Sequence, residues 1–238
     1  MAVEIQEFAR LHDAWQRFSR GAPVGLVEKM DSRDWADRFA GMQLVQSEIA
    51  ARGAWTHGHS DLMAVLGIAR REVANCRVLR WLLDPLARHG IGADMVDALA
   101  EAIGADLVDP HRARVEAEVS RARSRADVVL TAAGSRWTVV IAKIGAGEGP
   151  EQGYRLEQDW LEDDDAVPNA TLVFLTTSGG RLPRTAVATD RWVPLGWQWV
   201  VDSAARLLVA TEPALNDRAL EARHAVEEWV AAARRSLR

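Results

Sequence analysis

Asp127 and Lys143 are the residues whose types and spacing suit chemistry. They stand sixteen positions apart, in two β-branched segments joined by Gly134-Ser135. A hairpin of that length brings both to the same end of a sheet. An acid and a lysine placed so suit metal-dependent phosphodiester cleavage. The Asp127 carboxylate would hold a hard cation, Mg2+ or Mn2+, which polarises a phosphate and acidifies a water. The Lys143 ammonium would stabilise charge on the pentavalent phosphorus or position the attacking water. The same two residues also read as an ordinary ion pair between neighbouring strands.

Arginines at 112, 114, 121, 123, 125 and 136 form a local basic edge in a chain of net charge −5. One reading of Arg121, Arg123 and Arg125 is contact with a nucleic-acid phosphate backbone. The other is a solvated strand edge protected by charge. The negative net charge excludes a general polyanion binder coated in basic residues. Gly145-Ala-Gly-Glu-Gly149 lacks the lysine and hydroxyl of a phosphate-binding P-loop. His57 and His59 have no partner cluster for zinc, and His89 reads as the residue that fixes a turn. The single cysteine, Cys76, excludes an internal disulfide and reads as a buried thiol.

The elements that must position these residues follow from period and punctuation. Apolar spacing predicts helices over 4–19, 33–51, 61–83 (bent near Gly67), 93–104, 151–162, 197–210 and 214–237. In the second of these Trp35, Phe39, Met42, Val45 and Ile49 share a face. Leu62, Val65, Leu66, Ala69, Val73, Cys76, Leu79 and Leu83 form the expected inner face of the third. Short β-branched runs at 114–120, 126–132 and 136–144 read as an antiparallel meander. The runs at 171–177 and 192–195 read as further strands. The fold class is therefore α/β, with a mixed central sheet of four to five strands flanked by helices. Residues 1–60 form a helical N-terminal extension, and 61–238 the main domain.

From Glu72 to about residue 200 the chain resembles a prokaryotic branch of the PD-(D/E)xK nuclease superfamily. The matching pieces are Glu72, then Leu79-Arg-Trp81-Leu-Leu-Asp84-Pro85 with His89-Gly90-Ile-Gly92, and Arg125-Ala-Asp127-Val-Val-Leu130. Val139-Val-Ile-Ala-Lys143-Ile, Gln152, Leu172–Gly179 and Val193–Trp197 follow. The combination is fairly specific; no single piece is. The resemblance implies a restriction-endonuclease-like core. It makes Asp127 the metal-binding acid, Lys143 the catalytic lysine, Glu72 the supporting acid and Gln152 a helix residue facing the site. It further implies Mg2+ or Mn2+ as cofactor, DNA as partner and a role in prokaryotic defence.

The chain departs from that family at one place. The family's acid stands two residues before the lysine, because alternate strand residues share a face. Here position 141 is isoleucine and position 142 alanine. Three explanations stay open: a natural pseudo-nuclease, a substitution that trimmed the acid at Ala142, or an acid supplied by Glu116, Glu118 or Glu148. In the metal set Ala142 is then either the place of the missing acid or a backbone carbonyl. The leading expectation is a DNA endonuclease impaired by that loss. The alternatives are a non-catalytic nucleic-acid-binding or assembly module on the same fold, and an interaction protein docking a second copy or a partner through its N-terminal helices. No apolar run reaches the length of a membrane span, and the expected compartment is the cytoplasm.

Overall fold

The computed structural model describes residues 32–52, 61–105, 109–132, 137–145, 147–162, 170–212 and 216–237. The predicted helix 4–19, the His57–His59 loop, the Gly134-Ser135 turn and Arg136 lie outside them. The chain divides into two compact units, Met1–Gly58 and His59–Arg238. In the first, helix α1 spans Ser32–Ala51. Its predicted apolar stripe is solvent-facing at Phe39, Met42 and Val45.

The second unit begins with a correction. The predicted helix over 61–83 is two helices, α2 (Leu62–Val65) and α3 (Glu72–Leu82). Asp61 caps α2, accepting from the Ala64 N–H at 2.8 Å. Gly67 then takes φ +64, a left-handed conformation that ends a helix and does not bend it. The break resets the helical phase. Leu62, Val65, Leu66 and Val73 are consequently exposed, and the buried face consists of Asn75, Cys76, Leu79 and Leu82.

Helix α4 (Gly92–Ile103) follows a tight turn. His89 holds that turn. Its Nδ1 accepts from the Ile91 N–H at 3.1 Å, so Nε2 carries the proton and donates to the Trp81 carbonyl at 2.9 Å. Burial pushes the His89 pKa down. Gly92 packs against the Asp84-Pro85 backbone so closely that a Cβ would lie 1.9 Å from the Asp84 carbonyl oxygen. The Asp-Pro and His-Gly-x-Gly pieces of the sequence thus form one structural turn.

Strands β1 (Arg114–Ser120), β2 (Arg125–Thr131), β3 (Trp137–Lys143), β4 (Thr171–Thr176) and β5 (Trp192–Gly196) form one sheet in that order. The first three pair antiparallel; β3, β4 and β5 pair parallel. Between β3 and β4 runs α5 (Gln152–Glu157), which continues as a π-helical turn over Gln158–Glu162. Helices α6 (Trp197–Ala210) and α7 (Asp217–Ser236) close the chain. The architecture is α/β: a five-stranded mixed sheet flanked by helices.

Each sheet face carries its own core. Val128, Leu130, Val140, Ala142, Ile144, Val173 and Leu175 pack with α3, α4, α6 and α7. Val129, Ile141, Leu172 and Phe174 pack with Leu156, Trp160 and Trp192 on the other side. Two fully buried acids tie that second layer. Glu157 accepts from the Val187 and Ala188 N–H groups and from Trp192 Nε1, and Asp159 accepts from Arg123 and from Ser124 Oγ. No helix among the described residues is long and apolar enough to cross a membrane.

Candidate functional site

The site lies where the sheet forks. The β2–β3 ladder runs from Thr131↔Trp137 to Val128↔Val140 and stops there. Beyond that point β2 stays with β1 down to Ser120↔Arg125. Strand β3 stays with β4 to Lys143↔Thr176. Asp127 sits on one prong, and Ala142 and Lys143 on the other.

On a strand, alternate N–H groups point the same way. The Ala142 and Ile144 N–H groups therefore both face the side that β2 has left. Each meets a carboxylate in place of a strand. Ala142 N–H donates to Asp127 Oδ2 at 2.8 Å, and Ile144 N–H to Glu72 Oε2 at 3.2 Å. Glu72 is the first residue of α3, where the helix dipole favours an acid. Its other oxygen, Oε1, accepts from Lys143 Nζ at 2.9 Å. Asp127 and Lys143 are both buried. The structure thus brings together three of the predicted site residues: Asp127, Lys143 and Glu72.

The electrostatics of the fork are dominated by acids. Burial raises the Asp127 pKa, and the charges of Glu72 and Glu118 raise it further. The Ala142 N–H and Lys143 pull the other way. Burial pushes the Cys76 thiol far up, with Asp127, Glu72 and Glu118 adding to the effect. Cys76 is an inert core thiol, one helical turn from Glu72.

A raised Asp127 pKa has a definite consequence for stability. The folded state binds the proton more tightly than the unfolded state does. The contribution of Asp127 to folding is therefore most favourable below the ordinary carboxylate pKa of 3.8. That contribution is lost as pH rises from there through the raised value and is flat above it. Asp127→Asn keeps an oxygen for the Ala142 N–H and removes the charge. This variant should be more stable than the natural chain at neutral pH, with the gap closing on acidification. Urea unfolding between about pH 4 and pH 8 measures it. A variant less stable at neutral pH would refute the assignment of Asp127 as a disfavoured buried charge.

The remaining predicted residues fall elsewhere. Gln152 opens α5, and its Oε1 accepts from the Gly149 N–H at 3.2 Å. It makes no hydrogen bond to Asp127, Lys143 or Glu72. The Ala142 side chain is buried in the apolar cluster on the α3 face, so it brings no oxygen and its N–H holds Asp127. Arg121, Arg123 and Arg125 have partners within the fold. Arg121 lies 3.8 Å over the Trp160 ring and donates to the Asp159 carbonyl. Arg123 pairs with Asp159, and Arg125 with Glu118 at 2.9 Å.

Of the three candidate replacement acids, Glu148 is engaged by the Arg184 N–H at 2.7 Å, and Glu116 faces solvent. Glu118 is different. It takes φ +56 within β1, and its Oε1 is buried without a hydrogen-bond partner. No set of three or more His, Cys, Asp or Glu side chains among the described residues converges as a metal-binding group. Mg2+ does not require one. It keeps several waters and takes one or two carboxylates plus substrate oxygens. The buried, unpartnered oxygen of Glu118 and the crowded acids around Asp127 fit such a cation.

Comparisons with family models, with curated proteins and with solved structures returned no match.

Proposed function

We propose that the fork is a phosphodiester-hydrolysis site of the PD-(D/E)xK type, acting on DNA with Mg2+ or Mn2+ and impaired by the missing acid. One observation carries the reading: Asp127 and Lys143 stand on the two prongs of a split in the sheet, Asp127 held by the Ala142 N–H and Lys143 by Glu72. An acid with a disfavoured charge beside a buried lysine is the kind of pairing that active sites use and that a stable core avoids. The bound cation would polarise the scissile phosphate and acidify a water. The chain's own residues have separate tasks. Asp127 presents an oxygen on one prong, held by the Ala142 N–H. Glu72 fixes the Lys143 ammonium on the other, next to where phosphate charge would develop. With Asp127 and Glu72 against one lysine, and Glu118 already paired with Arg125, the site repels a phosphate until a cation is bound.

Incubation of supercoiled plasmid with the purified chain tests this. Slow Mn2+-dependent nicking is expected, abolished in Asp127→Asn and Lys143→Gln. Cutting by Asp127→Asn at the rate of the natural chain would sink the reading.

A second reading is a non-catalytic DNA-binding or assembly module on the same fold. Its motivation is that Asp127 and Glu72 each satisfy a β3 N–H, a structural task that needs no metal. Exposed Phe39, Met42 and Val45 on α1 suit docking of a partner or a second copy. DNA retention without any nicking in Mn2+ would favour it.

A further inference from the structure

A strand of nucleic acid entering the fork needs a positive charge to meet it, and most cations around the fork are spent. Lys143 is held by Glu72. Arg121 lies over Trp160, Arg123 pairs with Asp159, and Arg125 with Glu118. Arg70 differs from all of these. It stands two residues before Glu72, in the turn that leads into α3, and it is exposed. Its position is fixed by Gly145, the residue after Ile144, which takes φ +76 where the chain turns out of β3. A Cβ built at Gly145 would lie 3.9 Å from Arg70 Nη2. The guanidinium therefore sits over the end of the β3 prong, one residue beyond the Ile144 N–H that Glu72 binds. The Glu72 side chain keeps 23% of its exposure, so the fork meets solvent here. Both Glu72 oxygens are occupied, by Lys143 and by the Ile144 N–H. Among the described residues Arg70 has no hydrogen-bond or ion-pair partner.

We propose that Arg70 anchors the substrate: its guanidinium binds a backbone phosphate of the DNA on the solvent side of Lys143. This rests on the reading of the fork as a phosphodiester-hydrolysis site. The two cations then divide the work. Lys143, fixed by Glu72, waits where charge develops, and Arg70 captures the strand. A guanidinium suits that task because its planar N–H donors match two phosphate oxygens at once.

Binding of a fluorescent DNA duplex to the full chain, followed by anisotropy over a range of salt concentrations, tests the inference apart from activity. Ca2+ replaces Mg2+ in the buffer to hold off cutting. Arg70→Gln should weaken binding about tenfold at low salt and flatten the slope of log K against log salt by about one, the signature of one lost phosphate contact. Arg70→Lys should keep the slope and lose part of the affinity, since the charge stays and the two-oxygen match goes. Arg206→Gln removes the same charge from an exposed position in the second half of α6 and should bind as the natural chain does. Arg70 makes no bond within the fold, so the variants should melt with the natural chain. Arg70→Gln binding with the natural affinity and slope overturns the inference. The hydrolysis reading survives that result if Asp127→Asn still abolishes nicking. Equal losses in Arg70→Gln and Arg206→Gln also overturn it, as an effect of net charge. If the natural chain neither binds nor nicks DNA, the inference and the hydrolysis reading fall together.

Discussion

Ile141→Glu should destabilise the protein by about 4 kcal/mol and regain nothing from Mn2+. Ala142→Glu should lose less and recover part of the loss when the cation is added. Both positions are buried to 1% exposure or less, but in different layers. Ile141 packs among Leu156, Trp160 and Phe174, and a carboxylate there meets only apolar atoms and loses the transfer energy of the isoleucine. Ala142 packs in the layer that contains Cys76, and its own N–H touches Asp127. A glutamate at 142 overpacks that layer, costing about 1–3 kcal/mol, and adds an acid beside Asp127. A cation held at about a hundredfold over its Kd returns about 2.7 kcal/mol. Thermal melting of both variants in EDTA and in Mn2+ separates them. Recovery by Ile141→Glu alone would mean that the site opens onto the α5 layer and that the acid belongs two residues before Lys143.

The positions of Asp127, Lys143 and Glu72 were legible because each depends on local pattern. Short β-branched runs with a turn between them place the first two, and the resemblance to a known motif order adds the third. The strand alternation rule nevertheless misleads at Lys143. It puts Lys143 on the face of Ile141, yet the residue ends its strand, and its long side chain reaches Glu72 at the start of α3. The arginine edge reads as a phosphate contact because its partners are distant in sequence. Asp159, thirty-six residues beyond Arg123, is invisible to any windowed pattern, and so is the Trp160 ring under Arg121. The helix over 61–83 fails for a physical reason of another kind. Its apolar spacing runs on through Gly67, but the left-handed turn there resets the phase and leaves Leu62, Val65 and Leu66 in solvent. The sequence offers Glu118 only as one of three candidate acids with Glu116 and Glu148, and what sets it apart, a left-handed backbone and a buried oxygen, has no local pattern.

Lys143→Met should lower stability by about 2 kcal/mol, and adding Glu72→Gln should restore most of it. Removing the lysine leaves Glu72 as an unneutralised charge that acts on Asp127. Fully buried pairs broken in this way lose about 3–5 kcal/mol. The Glu72 side chain keeps 23% of its exposure, so water offsets part of that loss. In the double variant the glutamine still accepts from the Ile144 N–H, and two apolar or neutral groups replace two charges. The coupling between the two sites, read from a double-mutant cycle in urea, should be about 2 kcal/mol. Activity should not follow stability. Loss of the positioned ammonium should cost about a hundredfold or more in Mn2+-dependent nicking, and the double variant should be as slow as Lys143→Met. A double variant that regained both stability and cutting would show the pair to be structural, and the chemistry of the fork would then have to rest on Asp127 without a lysine.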